Sequence, residues 1–293
     1  MSEKKTDQIT QLPVCDLHPF SNHPFHPYPE ELMDDLCRSI EENGIITPII
    51  VRAASKGTGY EIIAGHNRVE ACRRIGMETI PAIVREVDTD TAILMMVDSN
   101  QQREHLLPSE KAFAYKMKLE AMKRQVKKNG ARTQVGYRPG ERSADLLGKE
   151  IGESRNQIQR YIRLTSLIPQ LLDLVDKGKL AMNPAVELSY LSSQQQEHVL
   201  TAMQSEQSSP SLAQARQLKE RASTDAFTED TPLEIMISGK GKRKEVFGIP
   251  MEKIAPFFPP DATPSQMETV IVKLIEAWSR KQEKKKARDD GAR

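Results

Sequence analysis

The stretch SADLLGKEIGESRNQIQRYIRL, residues 143–164, decides the reading of this chain. A helix-turn-helix needs a small residue where its two helices approach and a glycine or similar at the turn four residues later. It then needs an apolar residue six positions further on, to seat the second helix. Gly148, Gly152 and Ile158 have that spacing, and Leu147, Ile151 and Tyr161 supply the other interior positions. Ser154 is placed to cap the second helix, with Gln157 three residues on to complete a capping box. The outward positions of that helix are Arg155, Asn156, Gln159 and Arg160. Arg forks onto guanine and Asn or Gln onto adenine, so this face suits base edges, with Ser154 at its start. Arg142, Lys149 and Arg163 flank the face and are expected on phosphates, which position the protein without specifying sequence. The competing reading is an ordinary helical hairpin, which gives no reason for Arg, Asn and Gln with no outward acid on the second helix.

Charge is uneven around this motif. Residues 101–180 carry 17 Lys+Arg against 9 Asp+Glu, a net of +8, while residues 1–100 carry 9 against 16, a net of −7. Residues 181–293 balance at 16 each, so the formal net charge of +1 hides an acidic head and a basic middle. A basic middle suits a polyanion, because each neutralised phosphate releases counterions, although charge alone is equally a solvated surface. The length of 293 residues allows about two or three domains at roughly 100–200 residues each. No apolar run approaches the roughly 18 residues of a membrane span, and MSEKKTDQITQLP has no apolar signal segment. Cys15, Cys37 and Cys72 are scattered and form no CxxC pair, which argues against a disulfide framework and a zinc ribbon. The expectation is a cytoplasmic protein on nucleoid or plasmid DNA, with no membrane partner.

Residues 1–12 are polar and expected to be a disordered tail. Prolines in HPFSNHPFHPYP forbid a helix there, and a helix follows from about Pro29 to Asn43 with Leu32, Leu36 and Ile40 as its stripe. Two β-type runs, 48–52 and 60–64, flank a KGTG turn, then come a short helix at 66–75 and a strand at 80–84. Beyond Thr89 the pattern is helical: a buried helix at 91–102, then a long one from Pro108 to about Lys127 with Phe113, Met117 and Ala121 facing inward. Residues 129–141 read as a Gly-rich linker and 222–262 as irregular. Thr263 and Gln266 open an amphipathic helix over 263–286, whose stripe is Met267, Val270, Ile271, Leu274, Ile275 and Trp278. That stripe suits either a self-pairing dimer surface or docking on the protein's own core.

The N-terminal unit and the helix-turn-helix together resemble the ParB family of partition proteins, of mobile-element type. The resemblance spans roughly residues 12–220. It is carried by SIEENGIITPIIVR (39–52), YEIIAGHNRVEACRRIGMETIPAIV (60–84), SNQQREHLLPSEKAFAY (99–115), and the helix-turn-helix with its continuation to residue 191. It implies an α+β N-terminal ParB-like domain over 13–104, followed by an all-α helix-turn-helix domain over 105–222 and a C-terminal helical extension over 223–293. It also implies a dimer on a palindromic centromere-like site in double-stranded DNA, often with a ParA-type partner ATPase. Many relatives bind CTP with magnesium and close on DNA as a sliding clamp.

The family's three nucleotide-contacting stretches are altered here. Its Pro/Arg loop reads HPFSNHPF (18–25), without arginine. Its G-E-R-R motif reads Gly65, His66, Asn67, Arg68. Its E-N-x-Q-R motif reads Ser99, Asn100, Gln101, Gln102, Arg103. The resemblance places the nucleotide on Gly65, His66, Asn67, Arg68, Asn100, Gln102 and Arg103. Two acids are replaced, by His66 and Ser99, which points to weak magnesium binding and poor hydrolysis. Asp98 stands one position early, but a helix aims it about 100° away. His18, His23, His26 and His66 lack an acid or Cys at metal-site spacing and read as loop histidines. Two other functions stay open: a local transcription regulator using the same helix-turn-helix, and a nucleotide-dependent enzyme on the N-terminal domain.

Overall fold

Five strands, β1 (Ile9–Pro13), β2 (Leu17–His18), β3 (Ile49–Ala53), β4 (Tyr60–Ala64) and β5 (Thr79–Val84), make one mixed sheet in the order β1-β5-β3-β4-β2. β3 and β4 are the antiparallel pair expected around the KGTG turn, and β5 joins β3 in parallel. The structure, a computed structural model, describes residues 8–54, 57–101, 103, 106–129, 143–224, 226–238, 254–259 and 263–290. The sheet's core is aliphatic. Ile49, Val51, Ile62, Val69, Cys72 and Ile80 are buried together, each large aliphatic side chain contributing about 1.5–3 kcal/mol.

Residues 9–12, expected as disordered tail, belong to β1, which pairs antiparallel with β5 so that Leu12 faces Ile80. The signal is weak because Leu12 alone of this strand is buried. One inward side chain gives no alternation to read, and the ladder hydrogen bonds come from a partner far along the chain.

α1 (Glu30–Asn43) and α2 (His66–Arg74) pack on the sheet. The buried face of α1 is Met33, Leu36, Cys37 and Ile40, and Leu32 is exposed. Both faces satisfy helical spacing, and the packing against α2 selects the one rotated by one residue. α3 (Thr89–Asn100) starts earlier than its apolar run because Asp88 accepts a hydrogen bond from Thr91 N at 2.9 Å and caps it. α4 (Pro108–Asn129) is buried on more than one side. Ala112, Ala114, Tyr115, Lys118, Leu119 and Ala121 are enclosed, while Phe113, expected inside, is exposed.

α5 (Ser143–Ile151) and α6 (Arg155–Leu164) form the helix-turn-helix. Four further helices follow: α7 (Pro169–Asp176), α8 (Met182–Leu188), α9 (Ser193–Glu206) and α10 (Leu212–Ser223). Reciprocal capping boxes at Ser192/Gln195 and Ser211/Gln214 fix the starts of α9 and α10. α11 (Thr231–Ser238) lies in a segment expected to be irregular. Its Ile235 and Met236 complete the core of α7–α10, and Gln214 Nε2 donates to their carbonyls. Eight residues are too few for a helical period to stand out, so burial against α9 and α10 decides this helix.

The chain divides into two units, 1–239 and 240–293. The second contains α12 (Pro264–Asp290), which opens with the expected capping box, Thr263 N donating to Gln266 Oε1 at 2.9 Å. Along it Met267 is buried, and Val270, Leu274, Ile275 and Trp278 are exposed. The linker over 130–141 lies outside the described residues.

Candidate DNA interface and nucleotide cavity

Gly148 is where the two helices of the motif touch. A Cβ there would lie 2.6 Å from the Glu153 carbonyl oxygen, so only glycine admits the chain reversal that follows. Gly152 ends α5 with φ of +79°, and Leu147 and Ile158 close the interior with no exposure. Tyr161 meets the Tyr115 ring edge-on, at 5.6 Å between centroids, seating α6 on α4. Ser154 caps α6 by accepting from Gln157 N at 3.2 Å. The reciprocal half of the expected box does not form, because the Gln157 amide turns to Met182 Sδ.

Arg155, Asn156 and Gln159 are exposed on one face of α6, and Arg160 is half-buried beside them. Arg155 Nε lies 3.8 Å from Asp145 Oδ1 of α5. An exposed pair of this kind contributes about 0–1 kcal/mol, so it holds Arg155 only weakly. Lys149 is exposed in the last turn of α5. Arg163, expected on phosphate, has partners within the protein. Its Nε and Nη2 donate to Ser189 Oγ and the Ser189 carbonyl at 3.0 and 2.7 Å, and its guanidinium covers the Tyr190 ring at 4.0 Å. Those bonds tie α6 to the end of α8. Arg142 lies outside the described residues.

The second site is a cavity of about 400 Å³ lined by Tyr28, Leu36, Ala64, Ser99, and by Gly65, His66, Asn67, Arg68, Asn100 and Arg103. Two of the three altered stretches, 65–68 and 99–103, thus line one cavity, although Gln102 lies outside the described residues. The 18–25 loop does not line it and meets it through Phe25 against Arg103 and His23 against His66. Gly65 makes the convergence possible. It precedes α2 with φ of +103°, and a Cβ there would come 2.6 Å from Ile49 Cγ2. No side chain caps α2, so its first-turn N–H groups are available to an anion. Arg68 donates from Nη1 to the Thr47 and Pro48 carbonyls, which fixes its guanidinium at the rim. Arg103 lies over the Tyr28 and Phe25 rings at 5.1 and 5.8 Å. Phe20 and Phe25 anchor this proline-rich loop in the core. Tyr28 and Leu36 carry no local signal for this site, because one is a lone Tyr before Pro29 and the other is one leucine of an amphipathic helix.

Among the described residues lining this cavity there is no carboxylate. Asp98 does not fill the gap, because its carboxylate is paired with Lys118 of α4, outside the cavity. Two guanidiniums, two amides and a bare helix N-terminus fit a polyphosphate. The absence of a carboxylate does not fit a protein-held magnesium ion, which is ordinarily bound through one or two acids.

The four N-terminal-domain histidines do not converge. His18 Nε2 meets the Thr58 carbonyl, and His26 meets Glu110 through its backbone N and its Nδ1. His23 and His66 stack with ring centroids 3.7 Å apart. His66 Nε2 accepts from Phe20 N, which leaves the ring proton on Nδ1. Burial, helped by the neighbouring His23 ring and the Arg103 guanidinium, pushes His66 down to about 3 from an ordinary 6.5. Between those values the folded chain holds fewer protons on this group than the unfolded chain. Stability from His66 is therefore complete above pH 6.5 and is lost as the pH falls towards 3. His66→Asn should flatten the acid limb of a urea-midpoint profile taken from pH 7 down to 4.5, with His23, lowered by burial too, carrying the remaining slope. An unchanged slope would assign the limb to other groups.

Residues 1–101 match the ParB N-terminal domain, and residues 141–222 match the ParB HTH domain. The chromosome-partitioning protein Spo0J of Thermus thermophilus is 26% identical over 232 residues, 78% of this chain and 78% of that protein. A "Probable chromosome-partitioning protein ParB" of Vibrio cholerae is 30% identical over 218 residues, 74% of this chain and 67% of that protein. Several other curated relatives are spanned over only 41–63% of their own length. Among solved structures, the C-terminally truncated chromosome-partitioning protein ParB of Caulobacter crescentus, complexed to the centromeric parS site, is 23% identical. The match covers 73% of this chain and 100% of that one, with a TM-score of 0.41.

Proposed function

The chain belongs to the ParB family of partition proteins, and from that premise we propose that it is a segregation factor gripping a palindromic, centromere-like DNA site as a dimer. The observation that carries this reading is the face of α6, where Arg155, Asn156, Gln159 and Arg160 follow a Ser-capped N-terminus. Arg155, Asn156 and Gln159 read bases, with Arg160 at the edge of the face, and Ser154, Lys149 and Arg142 take phosphates. The exposed stripe of α12, Val270, Leu274, Ile275 and Trp278, pairs the two copies. In this proposal the nucleotide-binding domain, expected over 13–104, extends back to include β1, and the DNA-binding domain, expected over 105–222, extends forward to include α11. A ParA-type ATPase is the partner that moves the cargo, and the protein resides on nucleoid or plasmid DNA.

The cavity at α2 takes CTP, its phosphates on the N–H groups of α2, Arg68 and Arg103, with Asn67 and Asn100 beside them. Because this chain offers magnesium no acid among the described lining residues, the nucleotide is bound and hardly hydrolysed. A gating ligand that is held and released replaces turnover, which counts against an enzyme built on this domain.

One experiment with two arms tests the proposal. In the first, the preferred duplex is selected from a random pool and its affinity compared with that of a scrambled duplex at fixed salt. Arg155→Ala should lower the preference by about 1–3 kcal/mol. If Arg155→Ala and Arg160→Ala both leave it intact, α6 is not the recognition helix. In the second, labelled CTP is crosslinked beside ATP and GTP competitors. CTP-selective labelling, lost in Arg68→Ala and without phosphate release above background, is expected. DNA binding without any labelling would leave a nucleotide-independent site binder and favour a transcription regulator.

A further inference from the structure

Lys118, in the middle of α4, is 1% exposed, the most enclosed charged side chain among the described residues. Its ammonium is paired with Asp98 Oδ1 near the end of α3 and with Glu150 Oε1 of α5 at 2.8 Å. Both carboxylates are about half exposed. Asp98 directly precedes Ser99 and Asn100, which line the nucleotide cavity. Glu150 directly precedes Ile151 and the Gly152 turn of the helix-turn-helix. The same two segments face each other across a second cavity, of about 510 Å³. Gln101 and Arg103 line it after α3, and Glu150, Ile151 and Glu153 line it at the DNA-binding motif.

We propose that Lys118 is a positioning residue, a latch that couples the end of α3 at the nucleotide cavity to α5 of the helix-turn-helix. The physical reason is the asymmetry of its environment. Either carboxylate, released, is met by water. The enclosed ammonium is not, and losing one partner leaves it half-paired where charge is poorly solvated. A shift of Asp98 therefore drags the ammonium, and Glu150 with it, or breaks the latch outright. The cavity beside it leaves room for that movement. The mechanical link stands on the geometry of these three residues alone. Its use as a nucleotide-driven switch rests on the CTP reading above.

The test is hydrogen exchange by mass spectrometry on the full chain, with and without saturating CTP. Without nucleotide, Asp98→Asn should raise exchange across 145–151 by about fivefold or more, although Asp98 reaches that helix through Lys118. Glu150→Gln should do the same across 96–101, and the double variant should add little to either, as expected for one shared latch. Effects confined to each residue's own helix would overturn the proposal. With CTP, exchange across 145–151 should change in the native chain and stay constant in Lys118→Met, a neutral side chain of similar length. An equal change in both would also overturn it. If equilibrium dialysis finds no CTP bound, the nucleotide reading fails, and the nucleotide-free arm alone decides the latch.

Discussion

Gly65→Ala should cost about 2–5 kcal/mol of stability and abolish nucleotide crosslinking. Two costs combine. The backbone at φ of +103° is a region that L side chains seldom adopt, and the new Cβ would meet Ile49 Cγ2 at 2.6 Å. Ile49 has no exposure and sits in the sheet's core, so it has nowhere to retreat. Any relief must move the start of α2, and with it the N–H groups and Arg68 that face the cavity. Gly44→Ala is the control. Its φ is +67° but nothing lies within 4 Å of the added Cβ, so it bears the backbone cost alone. Urea midpoints for the two variants separate strain from collision. Equal losses would mean that the sheet yields to the methyl group and that Gly65 matters only for its dihedral angles.

Glu61→Ala should cost about 3–5 kcal/mol, because it strands a buried guanidinium. Arg52 and Glu61 are both enclosed, and Arg52 places Nε and Nη2 on Glu61 Oε2 at 2.6 and 2.5 Å. Arg52 also reaches Thr89 Oγ1 and lies over the Phe20 ring, while the other oxygen of Glu61 accepts from Ser21 N at 3.2 Å. The pair thus holds the start of α3 and the proline-rich loop that brings Tyr28 to the cavity. Removing both charges, as Arg52→Met with Glu61→Leu, should recover most of the loss, since an apolar pair leaves no unpaired ion. Nucleotide binding in that double variant should remain weakened, because Ser21 N still lacks its acceptor. A double variant as unstable as Glu61→Ala alone would show that packing volume, rather than the stranded charge, sets the cost.

The two sites were unequally readable for a physical reason. The turn of the helix-turn-helix is set within 22 residues, where Gly148, Gly152, Ser154 and Ile158 act over one or two helical turns. Such short-range constraints are written as spacings, and so is the Gly65–Arg68 helix start. The Lys118 latch is written nowhere locally. A lysine between Met117 and Leu119 looks like a solvated residue of an amphipathic helix, and only the packing of α3 and α5 around α4 encloses it.

The sequence by itself determined the family, the α+β then all-α order, and the two helices of the helix-turn-helix with the polar face of the second. Tertiary structure decided the rest. It rotated α1 so that Met33, and not Leu32, is inside. It spent Arg163 on Ser189 and Tyr190, committed Asp98 to Lys118, and left the cavity without a carboxylate among its described lining residues. Each of those outcomes is a choice among partners that local spacing allows equally. It is settled by which elements the closed core brings within hydrogen-bond reach, and spacing along the chain carries no record of that.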